Sequence, residues 1–92
     1  MIEYKVKVNK DGSKYWYLNG KLHREDGPAI EHSSGDKYWY LNDELHREDG
    51  PAIEYASGSK FWYLNGKYLY KDEWEKRIKK TRNIIIDGKE IE

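Results

Sequence analysis

The 92-residue chain contains no cysteine, which excludes disulfides and thiolate metal sites. Its longest apolar run is Ile84-Ile85-Ile86, far too short to span a bilayer. An excess of either charge is also missing. Seventeen Lys and Arg face 17 Asp and Glu, which excludes a globally basic nucleic-acid binder and a highly acidic tail. Aliphatic residues are scarce. Leu, Ile, Val and Phe make up 17 of 92 residues, below the ~20% typical of disordered chains. Two features oppose disorder: the net charge is zero, and the chain carries 4 Trp and 9 Tyr. Such rings bury about 150–250 Å² each and replace missing aliphatics. A single domain with a thin core is expected over 1–92. The opening MIEYKVKVNK has no signal-peptide apolar region, so a cytoplasmic location is expected.

The chain repeats itself. YWYLNGKLHREDGPAIE at 15–31 returns as YWYLNDELHREDGPAIE at 38–54, with 15 of 17 positions identical and an offset of 23. FWYLNGK at 61–67 keeps that offset, then diverges at Tyr68. Upstream, Val6 and Gly12 fall where Ala29 and Gly35 stand. The divisions are therefore a leading strand and half-repeat (1–14), two repeats (15–37 and 38–60), a partial third (61–71) and a distinct end (72–92). Atypical end units are what a capped stack requires.

Each unit reads as a β-hairpin. Lys37-Tyr38-Trp39-Tyr40-Leu41 is short and aromatic, which suits a strand. Alternation puts Tyr38 and Tyr40 on one face, Trp39 and Leu41 on the other. Asn19-Gly20, Asn42-Asp43 and Asn65-Gly66 follow as tight-turn signals, the middle one weaker. Gly27-Pro28 breaks regularity, and Ala29–His32 reads as a second strand before the polar loop Ser33-Ser34-Gly35-Asp36. Ile2, Tyr4, Val6 and Val8 share one face of a first strand. The end changes period. Asp72-Glu73-Trp74-Glu75 fits a capping box, Trp74 and Ile78 lie four apart, and a helix is expected over about 73–82. It should dock Trp74 and Ile78 on the sheet. Asp87-Gly88 suggests a final hairpin over 84–91. The fold expected is mostly β, an antiparallel meander of hairpin repeats with a C-terminal capping helix.

A 23-residue hairpin unit with Asn-Gly and a His four residues after the Asn (Asn19 to His23, Asn42 to His46) resembles the MORN repeat family. The string W-Y-L-N-G-K-L-H-R-E-D-G-P-A is similar to a repeat of small bacteriophage proteins. The resemblance covers about 6–82. MORN units carry a small residue after the His, where Arg24 and Arg47 stand here, and no membrane partner is expected. The phage resemblance implies a small accessory protein, in the host cytoplasm, that binds and disables a host enzyme or defence component.

The duplicated His23-Arg24-Glu25-Asp26 and His46-Arg47-Glu48-Asp49 admit two readings. One is catalytic, with His as base and Arg as phosphate clamp. The other is a structural ladder between units. Two strands per unit at about 4.8 Å place equivalent residues roughly 10 Å apart, too far to share a metal. At the third unit the motif stops, at Leu69 and Tyr70. Trp16, Trp39 and Trp62, with Leu18, Leu41 and Leu64, form either a core row or a base-stacking platform. Tyr17, Tyr40 and Tyr63 suit a half-exposed interface.

Charge is uneven. Residues 25–54 hold nine acids and two bases, a net of −7, whereas 67–82 hold seven bases and three acids, a net of +4. That asymmetry suits steering toward a partner. The expectation is a non-enzymatic protein-binding module, monomer or dimer, without cofactor, metal or catalytic residues. Tyr17, Tyr40, Tyr63, Glu44, Glu48, Asp49, His23, His46, Arg24 and Arg47 are the candidate binding residues. The alternative is a nucleic-acid or nucleotide binder using the aromatic rows and the basic helix, with weak, salt-sensitive phosphate contacts from Lys76–Arg82. A nuclease-like enzyme on His23 or His46 and a structural oligomer paired through open edge strands are further alternatives.

Overall fold

The computed structural model describes residues 2–82. Ten strands precede one helix: β1 (Lys5–Val8), β2 (Lys14–Leu18), β3 (Lys21–Leu22), β4 (Ile30–Glu31), β5 (Lys37–Tyr38), β6 (Tyr40–Leu41), β7 (Glu44–Leu45), β8 (Ile53–Glu54), β9 (Lys60–Leu64), β10 (Lys67–Leu69) and α1 (Lys71–Arg82). The main sheet runs β1-β2-β4-β5-β8-β9-β10, with β3 paired beside β4 on the far half of β2 and β6-β7 forming a separate ribbon. Every pairing is antiparallel. The fold is the mostly-β antiparallel meander with a C-terminal helix that the pattern predicts.

The unit is more elaborate than a plain hairpin. Its long strand turns at the Asn-Gly pair into a short returning strand, and the chain then crosses to a third strand after the proline. The turn needs two successive positive φ angles, supplied by Asn19 (54°) and Gly20 (78°), then Asn65 (50°) and Gly66 (80°). Such angles match the twist of a two-residue hairpin. The middle unit has Asp43 at φ 68°, where the other units carry glycine, which takes that angle at least cost. Its carboxylate compensates by accepting the Leu22 N–H at 2.6 Å, while its own N–H donates to the Leu22 carbonyl at 2.8 Å. In the second unit the expected strand 37–41 is split at Trp39, although the Trp39 N–H donates to the Ala52 carbonyl just as the Trp16 N–H donates to that of Ala29 in the unbroken first unit.

Two rows run across the sheet. Cross-strand pairing aligns Lys14, Glu31, Lys37, Glu54 and Lys60, so the charge alternates at every step. The row beside it alternates ring and aliphatic: Tyr15, Ile30, Tyr38, Ile53, Phe61. Directly opposed pairs of both kinds stabilise an antiparallel sheet. The hairpin loops repeat as well. Gly12, Gly35 and Gly58 all take φ between 92° and 101°, so the expected match of Gly12 to Gly35 extends to Gly58.

The molecule is only 17 Å thick, and its core is correspondingly small. Ala29 and Ala52 are fully buried, and Ile53 nearly so. The largest apolar cluster is at the C-terminal end, where Trp74 and Ile78 of α1 pack with Leu69, Trp62 and Leu64. The helix therefore covers the Trp/Leu face, as its i,i+4 stripe requires. It begins at Lys71, two residues earlier than the capping box implies. Asp72 sits in the first turn, where its carboxylate accepts the Glu73 N–H at 3.0 Å. The first strand begins at Lys5, and its face is less covered than its alternation suggests: Val6 and Val8 remain exposed. The expected hairpin over 84–91 lies outside the described residues. Among those described, no helix is long and apolar enough to cross a membrane.

Candidate functional site

The two His-Arg-Glu-Asp segments lie on the Trp face, and their side chains are spent on the fold. Arg24 lays its guanidinium 3.9 Å over the Trp16 ring, and Arg47 lies 3.8 Å over Trp39. Each fork is then tied within its own unit. Arg24 Nε donates to Asp26 at 3.0 Å, and its Nη1 donates to the Pro28 carbonyl and to Glu31, both at 3.2 Å. Arg47 repeats this with Asp49 (2.8 Å), the Pro51 carbonyl and Glu54 (3.0 Å each). A planar, five-donor cation suits this combination of stacking and forked bonding. Gly27 and Gly50 permit it. A Cβ at either position would stand 3.0 Å or 2.8 Å from the arginine Cζ.

Histidine joins one unit to the next. The Asn42 N–H donates to His23 Nδ1 at 2.9 Å, and the Asn65 N–H donates to His46 Nδ1 at 2.8 Å. A nitrogen that accepts an N–H carries no proton, so the ring proton sits on Nε2. There it faces Glu25 or Glu48, at 3.0 Å in each unit. His23 is buried, and its own N–H donates to the Trp16 carbonyl. Both nitrogens of each ring are therefore engaged. Among the described residues no group of three or more His, Asp and Glu is placed to hold a metal ion.

Between the two segments runs a groove of about 570 Å³, lined by Trp39, Leu41 and the carboxylates of Glu25, Asp26, Glu48 and Asp49. It brings together Arg24, His46, Arg47, Glu48 and Asp49 of the expected binding set. His23 sits behind it, buried. Glu44 is exposed on β7 and belongs to neither group.

Tyr17, Tyr40 and Tyr63 occupy the opposite face and are half-buried. Burial raises the Tyr40 hydroxyl above its ordinary pKa, with help from Asp43 and Tyr63; burial likewise raises Tyr38, with Tyr55 and Asp36 beside it. On this face the structure adds a group that the repeat logic overlooks. Tyr38, Tyr55, Phe61, Tyr68, Tyr63 and Tyr70 form a continuous chain of edge-on and tilted ring contacts, with centroids 5.6–6.2 Å apart. Tyr55, Tyr68 and Tyr70 are exposed, Tyr70 to 73%. One signal could have found them: each stands where the repeat breaks, Tyr55 in place of His32 and Tyr68 and Tyr70 after the third unit diverges.

Compared with known protein families, curated proteins and solved structures, the chain matches none.

Proposed function

We propose that this chain is a non-enzymatic protein-binding module whose contact surface is the aromatic face opposite α1. The observation that carries the reading is the ring chain from Tyr55 through Phe61 and Tyr68 to Tyr70, whose three tyrosines are exposed. Tyrosine supplies large contact area at low entropic cost and is enriched at binding hot spots. The repeated His and Arg side chains are already bonded within the fold, which leaves them poor candidates for a catalytic base or a phosphate clamp. The acidic groove and Glu44 add negative potential that speeds encounter with a basic partner. The similarity of the repeat string to small bacteriophage proteins makes a host enzyme or defence component the partner expected.

Nucleic-acid binding is supported less well. Trp16 and Trp39 are covered by arginines, and Trp62 by Trp74, with ring centroids 6.4 Å apart. Bases thus have no open tryptophan row to stack on. What remains is the exposed helix surface of Lys76, Arg77, Lys79 and Lys80, where Arg77 is paired with Glu73 at 3.1 Å.

The test is affinity capture from bacterial lysate, with and without nuclease, by the wild-type chain and by a Tyr68→Ser, Tyr70→Ser variant of unchanged circular dichroism. The reading expects a host protein retained by wild type in both arms and lost by the variant. Capture that disappears with nuclease, or that the variant keeps, would contradict it.

A further inference from the structure

Among the described residues, the repeat array ends in an unfilled strand position. In the first unit, the start of β2 (Lys14-Tyr15) pairs with β1 on one side and with Ile30-Glu31 of β4 on the other. In the second, Lys37-Tyr38 lies between β4 and Ile53-Glu54 of β8. In the third, Lys60-Phe61 pairs with β8, but β10 on the far side reaches only Trp62, Tyr63 and Leu64. Among the described residues, Lys60 and Phe61 have no strand on that side. The chain that would have returned there as Ala-Ile-Glu runs into α1 instead.

The interior shows twice what such a position accepts. Each time it is an extended Pro-Ala-Ile-Glu segment running antiparallel. Its Ile stands opposite the ring of the long strand and its Glu opposite the lysine. At the third position Lys60 is exposed and Phe61 half-buried, and neither has a strand on the far side among the described residues. The row of alternating charges ends on Lys60. The ring row ends on Phe61, flanked by Tyr55 and Tyr68. An open edge with adjacent side-chain sites for alternate residues is the geometry of strand addition.

We propose that the open half of β9 is a strand-acceptor site for an extended segment of a partner protein with the pattern small-aliphatic-acidic. The aliphatic side chain packs against Phe61 and Tyr68, and the carboxylate lies opposite Lys60. This rests on the protein-binding reading above and names the kind of partner segment that reading needs.

A synthetic peptide with the sequence of residues 50–56, GPAIEYA, serves as the probe. It is titrated into the ¹⁵N-labelled full chain and, fluorescently labelled, followed by anisotropy. The expected result is saturable binding with amide shifts centred on Lys60–Trp62 and Tyr68. Lys60→Glu should weaken binding about tenfold, and the charge-swapped peptide GPAIKYA should recover most of that loss on the Lys60→Glu chain, as opposed charges across a ladder require. Absence of saturable binding, shifts centred elsewhere, or equal binding of both peptides to the wild-type chain would overturn the proposal. So would concentration-dependent dimerisation abolished by Lys60→Glu, which would assign the edge to a second copy. If the peptide fails while Tyr68→Ser, Tyr70→Ser still loses its host partner, the strand site falls and the aromatic-face reading stands.

Discussion

The first two repeats and the third begin with nearly the same strand and cover it in two different ways. In the interior units the indole is roofed by an arginine that is itself bonded to two carboxylates and a carbonyl, so the cover is polar and built within the unit. In the third unit Leu69 and Tyr70 replace His and Arg, and the cover comes from a helix. Trp74 lies on Trp62, Lys71 reaches to 5.7 Å over the same ring, and Trp74 Nε1 donates to the Arg47 carbonyl at 3.0 Å. The comparison separates two jobs. The His-Arg segment lets a unit bond to the next one. The helix ends the stack on apolar contact, as a terminal cap should.

The largest break in this comparison should come from the helix side. Trp74→Ala removes the main ring of the only sizeable apolar cluster among the described residues and orphans the Arg47 carbonyl. A loss of about 3–5 kcal/mol is expected, enough to unfold a small thin-cored domain in a thermal melt followed by circular dichroism. Leu69→His would restore the interior residue at the end unit. Its imidazole would lie buried without a following Asn N–H to accept, and about 3 kcal/mol should be lost. Stability unchanged by this substitution would mean that the two kinds of unit are interchangeable.

Arg47→Lys keeps the charge but lacks the planar fork. It should cost roughly 1–2 kcal/mol, read as a lower midpoint in urea. His46→Ala removes the acceptor for the Asn65 N–H and should cost about 1 kcal/mol; hydrogen exchange at that amide should accelerate more than at amides of the first unit. The smallest effect concerns the tyrosines. Tyr38 and Tyr40 are held above the ordinary value of about 10, so the folded chain holds those protons more tightly than the unfolded one. Their contribution to stability is full below the unfolded value and fades as the pH rises through the folded one. An alkaline titration of tyrosinate absorbance should show a late-titrating subset that disappears in denaturant.

Much of this architecture was legible in the residues because it is periodic. The offset of 23, the alternation in each strand, the Asn-Gly turns and the Trp74/Ile78 stripe all express regular geometry. What escaped depends on neighbours. Asn42-Asp43 looks like a weaker turn, yet Asp43 is placed to accept Leu22 of the preceding unit, a contact with no local signature. Ser13, fully buried, accepts the Ser33 N–H at 2.9 Å in the same manner. The helix starts earlier because the Trp74 N–H meets the Tyr70 carbonyl at 2.9 Å, where an N-cap Asp72 would have met it with its carboxylate. The expected site divided in two. His23, Arg24, His46 and Arg47 joined the framework, and of the expected tyrosines Tyr63 belongs to a ring chain whose exposed members lie off the repeat.

The account turns on the two histidines being structural clasps, and their tautomers test that directly. A long-range ¹H–¹⁵N correlation spectrum of the folded protein at neutral pH should show His23 and His46 protonated on Nε2, with Nδ1 as a hydrogen-bonded acceptor. A proton on Nδ1, or freely exchanging tautomers at both rings, would contradict the clasp and return His46 to the list of groups free for chemistry.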